Sequence, residues 1–256
     1  MSKEFCDLLD SIINEQTFSL ELCPRESGAT TVSCKSLTTA QLTQLVETVV
    51  DNPVTQARFN TTAANVFKDC LKDEVLFSLN VIDRLLFIIE TRIQSVAPTT
   101  VLRRDDELVE INFNSVQQAL RSSLAKNVES ILPATLTEGK VSITVGVPLL
   151  ATELQLNEEL YKDINPNLDD EEELREILGS TFVNEIAKTI NTVTIGDKVL
   201  DLSTLSFKDR LKTVEKLPAS LIQKVISYIE KYKDVIDTPL IENQLTTVDG
   251  SLFSLR

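Results

Sequence analysis

Val75-Leu76-Phe77-Ser78-Leu79-Asn80-Val81-Ile82-Asp83-Arg84-Leu85-Leu86-Phe87-Ile88-Ile89-Glu90-Thr91-Arg92-Ile93-Gln94-Ser95-Val96 is the greasiest stretch of the chain, and its reading decides the fold. It is long enough to suggest a membrane span, but Asp83, Arg84, Glu90 and Arg92 interrupt it. Each charge near the centre of a bilayer costs about 2.5–3.5 kcal/mol. The stretch therefore reads as a helix buried in a protein core. Apolar residues make up 42% of the 256, enough to build such a core and to exclude intrinsic disorder.

On the N-terminal side, a short helix is expected near Glu4–Ile13, and Met1-Ser2-Lys3-Glu4 meets acid too early for a signal peptide. Phe18–Leu22 alternates as a half-buried strand does, 24–28 supplies a turn, and Thr31–Lys35 returns as its partner. Thr38 and Gln41 form a capping box with Leu37 and Leu42 as its staple, and Leu42, Leu45, Val46 and Val49 line one helical face. Asp51-Asn52-Pro53 ends that helix, and another is expected over Thr61–Leu71.

On the C-terminal side the pattern changes. Leu108–Phe113 alternates as a strand, Ser115 caps a helix reaching about Asn127, and Glu138-Gly139-Lys140 turns into the β-branched run Val141–Val145. Phe182, Val183, Ile186, Ala187, Ile190 and Val193 fall at helical spacing. Ser206 with Asp209 caps a further helix, and Pro218 opens a last long one carrying Leu221, Ile222, Val225, Ile226 and Ile229. Asp249-Gly250 is a hairpin signal between Leu245–Val248 and Ser251–Leu255. The fold class is α+β and mainly helical. The expected divisions are an N-terminal hairpin-plus-helices domain (1–97), a small α+β middle section (98–155), and a helical C-terminal domain with a terminal hairpin (156–256).

Chemistry is excluded mainly by what is missing. There is no histidine, which removes the commonest acid/base and every imidazole metal ligand. Six scattered glycines write no phosphate-cradling loop. A net charge of −14 repels nucleic acid and anionic membrane alike, while leaving a basic protein surface open as a partner. Asn165, Asn167, Asp169, Glu171 and Glu176 match ligand positions of a calcium loop, but Asp170 stands where its sharp turn needs glycine. Negative charge on the first turn of a helix is the simpler account of 169–173. Ser123 and Lys126 match an S-x-x-K spacing without its partner motifs. Glu158 and Glu159 diverge around a helix axis, so they do not converge on a sugar. Cys6, Cys23, Cys34 and Cys70 lack CxxC spacing and read as packed thiols. No catalytic, cofactor or metal site is expected. Leu252, Phe253 and Leu255 are the candidate partner-binding residues, being apolar side chains where a terminus usually frays, with docking onto the chain's own domain as the other reading.

Several stretches carry a family resemblance. Leu20-Glu21-Leu22-Cys23-Pro24 with Cys34–Leu42, then Phe182–Ala187, Phe207–Leu211, Val214–Pro218 and Val248–Phe253, resemble the baseplate proteins of T-even-like contractile-tailed bacteriophages. The resemblance implies a hub subunit or hub assembly factor that acts by binding other tail proteins in a multi-subunit complex, with no nucleic acid, membrane or cofactor. It also implies residence in the host cytoplasm during assembly, and in the virion tail if the protein is structural. A non-phage intracellular adaptor is the alternative.

Overall fold

The computed structural model describes residues 16–26, 28, 30–48, 53–71, 78–104, 107–161 and 171–253. An antiparallel hairpin comes first, β1 (Thr17–Glu21) and β2 (Thr31–Lys35), followed by helices α1 (Thr39–Val46), α2 (Pro53–Cys70) and α3 (Val81–Ser95). A second hairpin, β3 (Thr99–Arg104) and β4 (Glu107–Asn112), leads into α4 (Phe113–Lys126). Strands β5 (Ala134–Glu138) and β6 (Val141–Val145) precede α5 (Leu150–Tyr161) and α6 (Glu171–Thr189). Then come β7 (Ile190–Ile195), β8 (Lys198–Asp201), α7 (Phe207–Glu215) and α8 (Ala219–Glu242). The mainly helical α+β class is the one expected. The sheet of order β5-β6-β7-β8 takes two strands from the expected middle section and two from the expected C-terminal one. A single apolar cluster reaches from Leu20 to Phe253 through all three.

The apolar stretch does fold as a core helix. Asn80 caps α3, accepting from the amides of Ile82 and Asp83, and Asp83 completes a capping box. Ile82, Leu86, Phe87 and Ile89 are fully buried, and the Phe87 ring stacks on Phe67 of α2 with centroids 4.4 Å apart. Three of its four charged residues, Asp83, Arg84 and Arg92, are inside as well, and each has its own partner. Asp83 accepts from the Cys23 amide at 2.7 Å and from Arg25 at 2.5 Å, which ties the β1–β2 hairpin to the start of α3. Arg84 pairs with Glu153 of α5. Arg92 donates to the carbonyls of Leu252, Ala97 and Thr99 and lies over the Phe113 ring at 5.2 Å.

Other expectations need correcting. The stripe from Phe182 to Val193 is not one helix: α6 ends at Thr189, and Ile190 and Val193 belong to β7. Gly196, at φ +60, turns β7 into β8, and the buried Arg210 takes the carbonyls of Ala187, Ile190 and Leu202 where helix gives way to strand. Strand β3 is not among the expected elements, although Thr99, Thr100 and Val101 are β-branched strand formers. Helix α2 begins at Pro53, eight residues before the expected Thr61, because proline suits a first helical turn. Asn112, not Ser115, caps α4. The expected helix near Glu4–Ile13 lies outside the described residues.

Among the described residues the expected terminal hairpin is also replaced, since Gly250–Phe253 form a 3-10 turn. Asp249 accepts from the Ser251 amide at 2.8 Å and fixes that turn. Gly250 sits so close to α1 that a Cβ there would lie 2.1 Å from the Leu45 carbonyl oxygen, and its amide donates to Thr48 O at 3.3 Å. Residues 249–253 thus close over α1 and α3 as a strap. Gly250→Ala is expected to lift this strap and destabilise the chain by about 2–4 kcal/mol, in the range of severe backbone and packing defects. Ala in place of exposed Gly179, inside α6, should instead be neutral or stabilising. Urea unfolding midpoints of the two variants check both.

Candidate binding surfaces

Helices α3, α5, α6 and α8 and the chain after α8 enclose a cleft of about 730 Å3. Its walls combine apolar side chains (Leu85, Ile88, Ile236) with the charged groups Arg84, Glu153, Glu185 and Lys188. Glu185 bonds Lys188 at 2.7 Å, one turn along α6, and approaches Lys233 of α8 at 3.7 Å. Burial works to raise the Glu185 pKa, but Lys188, Lys233 and Arg84 outweigh it and hold the carboxyl below its usual range. The Tyr232 hydroxyl is pushed well up by burial and by the carboxylates of Glu185 and Glu153.

The charges sit inside because α5 and α6 meet along a polar seam. Glu153, Asn157 and Tyr161 recur every four residues on α5, and Thr181, Asn184 and Lys188 face them from α6. Tyr161 and Thr181 share a hydroxyl hydrogen bond of 2.9 Å, and Asn184 donates weakly to Asn157 at 3.4 Å. Asn184 is fully buried, and its side-chain oxygen has no partner among the described residues. The i, i+4, i+8 spacing of Glu153, Asn157 and Tyr161 was readable in the sequence as a polar stripe. Its burial was not, because polar stripes ordinarily face water.

The four-stranded sheet offers a second surface. Thr135, Thr144 and Thr192 lie in register across β5, β6 and β7, and Thr137, Ser142 and Thr194 form the next row. Hydroxyl bonds link Thr144 to Thr192 at 2.6 Å and Thr137 to Ser142 at 3.0 Å. On the β7–β8 hairpin, Ile195, Val199 and Leu200 are exposed by 57%, 68% and 39%.

The candidates from sequence fare unevenly. Leu252 and Phe253 are buried in the chain's own core, with Arg92 on the Leu252 carbonyl, the arrangement of the own-domain docking reading. Leu255 lies outside the described residues. Ser123 is committed elsewhere. Pro239 has no amide to give, which leaves the Val235 carbonyl of α8 free, and the Ser123 hydroxyl donates to it at 2.7 Å. Lys126 is an exposed residue of the last turn of α4. Of the calcium template, Asn165, Asn167 and Asp169 are outside the described residues, while Glu171 opens α6, as the helix-start reading requires. Glu158 and Glu159 are exposed on α5. Cys23, Cys34 and Cys70 are buried free thiols, pushed up to about 12 mainly by desolvation. Cys6 is not among the described residues. No described helix is long and apolar enough to cross a membrane.

A family model for the T4 bacteriophage base plate protein matches residues 17–248, from the first strand to the approach of the strap. The chain belongs to this family. Compared with curated proteins and with solved structures, it finds no match. The matched range covers both hairpins, the cleft and the whole four-stranded sheet of this phage baseplate protein. A baseplate protein works in the tail, within a multi-subunit complex with other baseplate proteins.

Two outcomes are expected for the cleft of the baseplate protein. Removing one side of the buried pair, by Arg84→Met or Glu153→Gln, should cost about 3–5 kcal/mol, and the double replacement much less than the sum, because a lone buried charge is worse than none. A double-mutant cycle from chemical unfolding measures this. Glu185 is held below its unfolded pKa, so its contribution to stability is complete above the ordinary carboxylate value of 4.5 and is lost as pH falls through the lowered value. Glu185→Gln should flatten the stability profile over that acid window, seen as melting temperature against pH.

Proposed function

We propose that this baseplate protein serves the central hub region as a structural subunit or assembly factor, and that it acts by binding other proteins without catalysing a reaction. The observation that carries this reading is the family match across 17–248, joined to the hub-like motifs of the two ends. Further support comes from where the chain places its polar groups. Arg84, Glu153, Glu185 and Lys188 are spent on one another, and the Ser123 hydroxyl repairs a helix interrupted by proline. The apolar side chains left outside on β7 and β8 suit contact with a neighbouring subunit. The acidic balance of −14 favours partners with basic faces, which would steer docking during assembly in the host cytoplasm.

Quantitative mass spectrometry of purified virions tests the structural version. Peptides of this chain should appear in constant proportion to other baseplate proteins. Their absence from finished particles, with presence in assembly intermediates, would leave the assembly-factor version alone standing.

A further inference from the structure

The two edges of the four-stranded sheet are finished differently. On β5, the Lys224 ammonium of α8 donates to the Thr137 carbonyl at 2.7 Å while pairing with Glu138 at 2.6 Å, so a covering helix blunts that edge. On β8 every residue is exposed, and no described element lies beyond it in the sheet. Natural proteins protect such edges, because a bare row of amides and carbonyls is a template for another strand.

The free groups on β8 can be assigned. The β7–β8 loop has two residues, so the flanking pair Ile195 and Lys198 exchanges backbone bonds, and Val193 with Leu200 does the same. Val199 therefore turns its N–H and C=O outward and Asp201 its N–H, while the Asp201 carbonyl accepts from the Thr204 hydroxyl at 2.7 Å. The edge reads Lys198-Val199-Leu200-Asp201, a cation and an anion bracketing two apolar side chains.

We propose that β8 is a docking edge, which takes an extended segment of another polypeptide as an antiparallel fifth strand. The segment reads basic, apolar, apolar, acidic from its N-terminus, placing the base opposite Asp201 and the acid opposite Lys198. Opposite charges in register stabilise a pair, and the apolar residues between them cover Val199 and Leu200. A second copy of this chain fits poorly. A two-fold axis pairs only outward-facing residues with each other. Pairing Val199 with Val199 sets Asp201 against Asp197 on both sides of the axis. Pairing Val199 with Asp201 sets Lys198 against Leu202, which is fully buried in its 3-10 turn. The inference stands on this sheet and not on the hub role.

The test uses the full chain and the acetylated, amidated peptide Thr-Lys-Val-Val-Glu-Thr, followed by amide NMR. The Val199 and Asp201 amides should shift and exchange more slowly as peptide is added. The reversed peptide Thr-Glu-Val-Val-Lys-Thr should bind roughly tenfold more weakly, the effect of two cross-strand charge pairs. Val199→Pro removes an outward N–H without touching the β7–β8 ladder, so it should abolish binding while the far-ultraviolet circular dichroism stays unchanged. If that variant fails to fold, the charge swap Lys198→Glu decides: it leaves the Asp201 carboxylate on the Ser203 amide, and it should abolish the preference between the two peptides. Silence of both amides, equal binding of the two peptides, or a swap without effect overturns the proposal. So does a dimer in sedimentation that Val199→Pro dissolves, since that would give the edge to a second copy.

Discussion

Three charged residues of α3 hold the molecule together, and they do so from inside. Asp83 secures the first hairpin, Arg84 secures α5, and Arg92 secures both the start of β3 and the strap after α8. An ion taken out of water costs several kcal/mol unless its new partners replace the lost hydration. Asp83 recovers this through two amides and a guanidinium. Arg92 has carbonyls and an aromatic face, with no carboxylate partner among the described residues. The apolar face of α3 would pack against many partners. Its charges accept only these.

Arg210 repeats the device at the other end of the chain. Where α6 stops and β7 starts, backbone carbonyls lose their helical donors, and one guanidinium collects two of them, on Ala187 and Ile190, with a third on Leu202 of the 3-10 turn after β8. Desolvation lowers its pKa to about 10, so it stays charged throughout the neutral range. Ser123 does the same on a smaller scale for the carbonyl that Pro239 leaves open. At both of these irregularities a polar side chain is brought in from a different element.

This pattern explains what the sequence disclosed and what it hid. The capping box at Thr38, the cap at Ser206 and the Gly139 turn are local, and all sit within four residues of the element they start or stop. The break at Thr189 is invisible locally, because Ile190 and Val193 keep the helical phase, and only Arg210 and the sheet register select the strand. The terminal strap misled for the same reason. Asp249-Gly250 is a good hairpin turn in isolation, but the seat against the Leu45 carbonyl and the pull of Arg92 demand a 3-10 turn. The bare edge of β8 was hidden too, since an unpaired strand is a property of the assembled sheet. Apolar spacing told which residues are buried far better than it told which surfaces remain open.

The strap has a kinetic side. Arg92 and its acceptor on Leu252 are 160 positions apart, so a ribosome releases α3 long before the group that satisfies its last turn exists. Through that interval α1 lacks its cover and a guanidinium waits without its full set of acceptors. Contacts of such long sequence separation close late and favour slow folding. The N-terminal helices of the nascent chain are thus held in an unfinished state, open to early partners or to aggregation, until translation reaches residues 249–253.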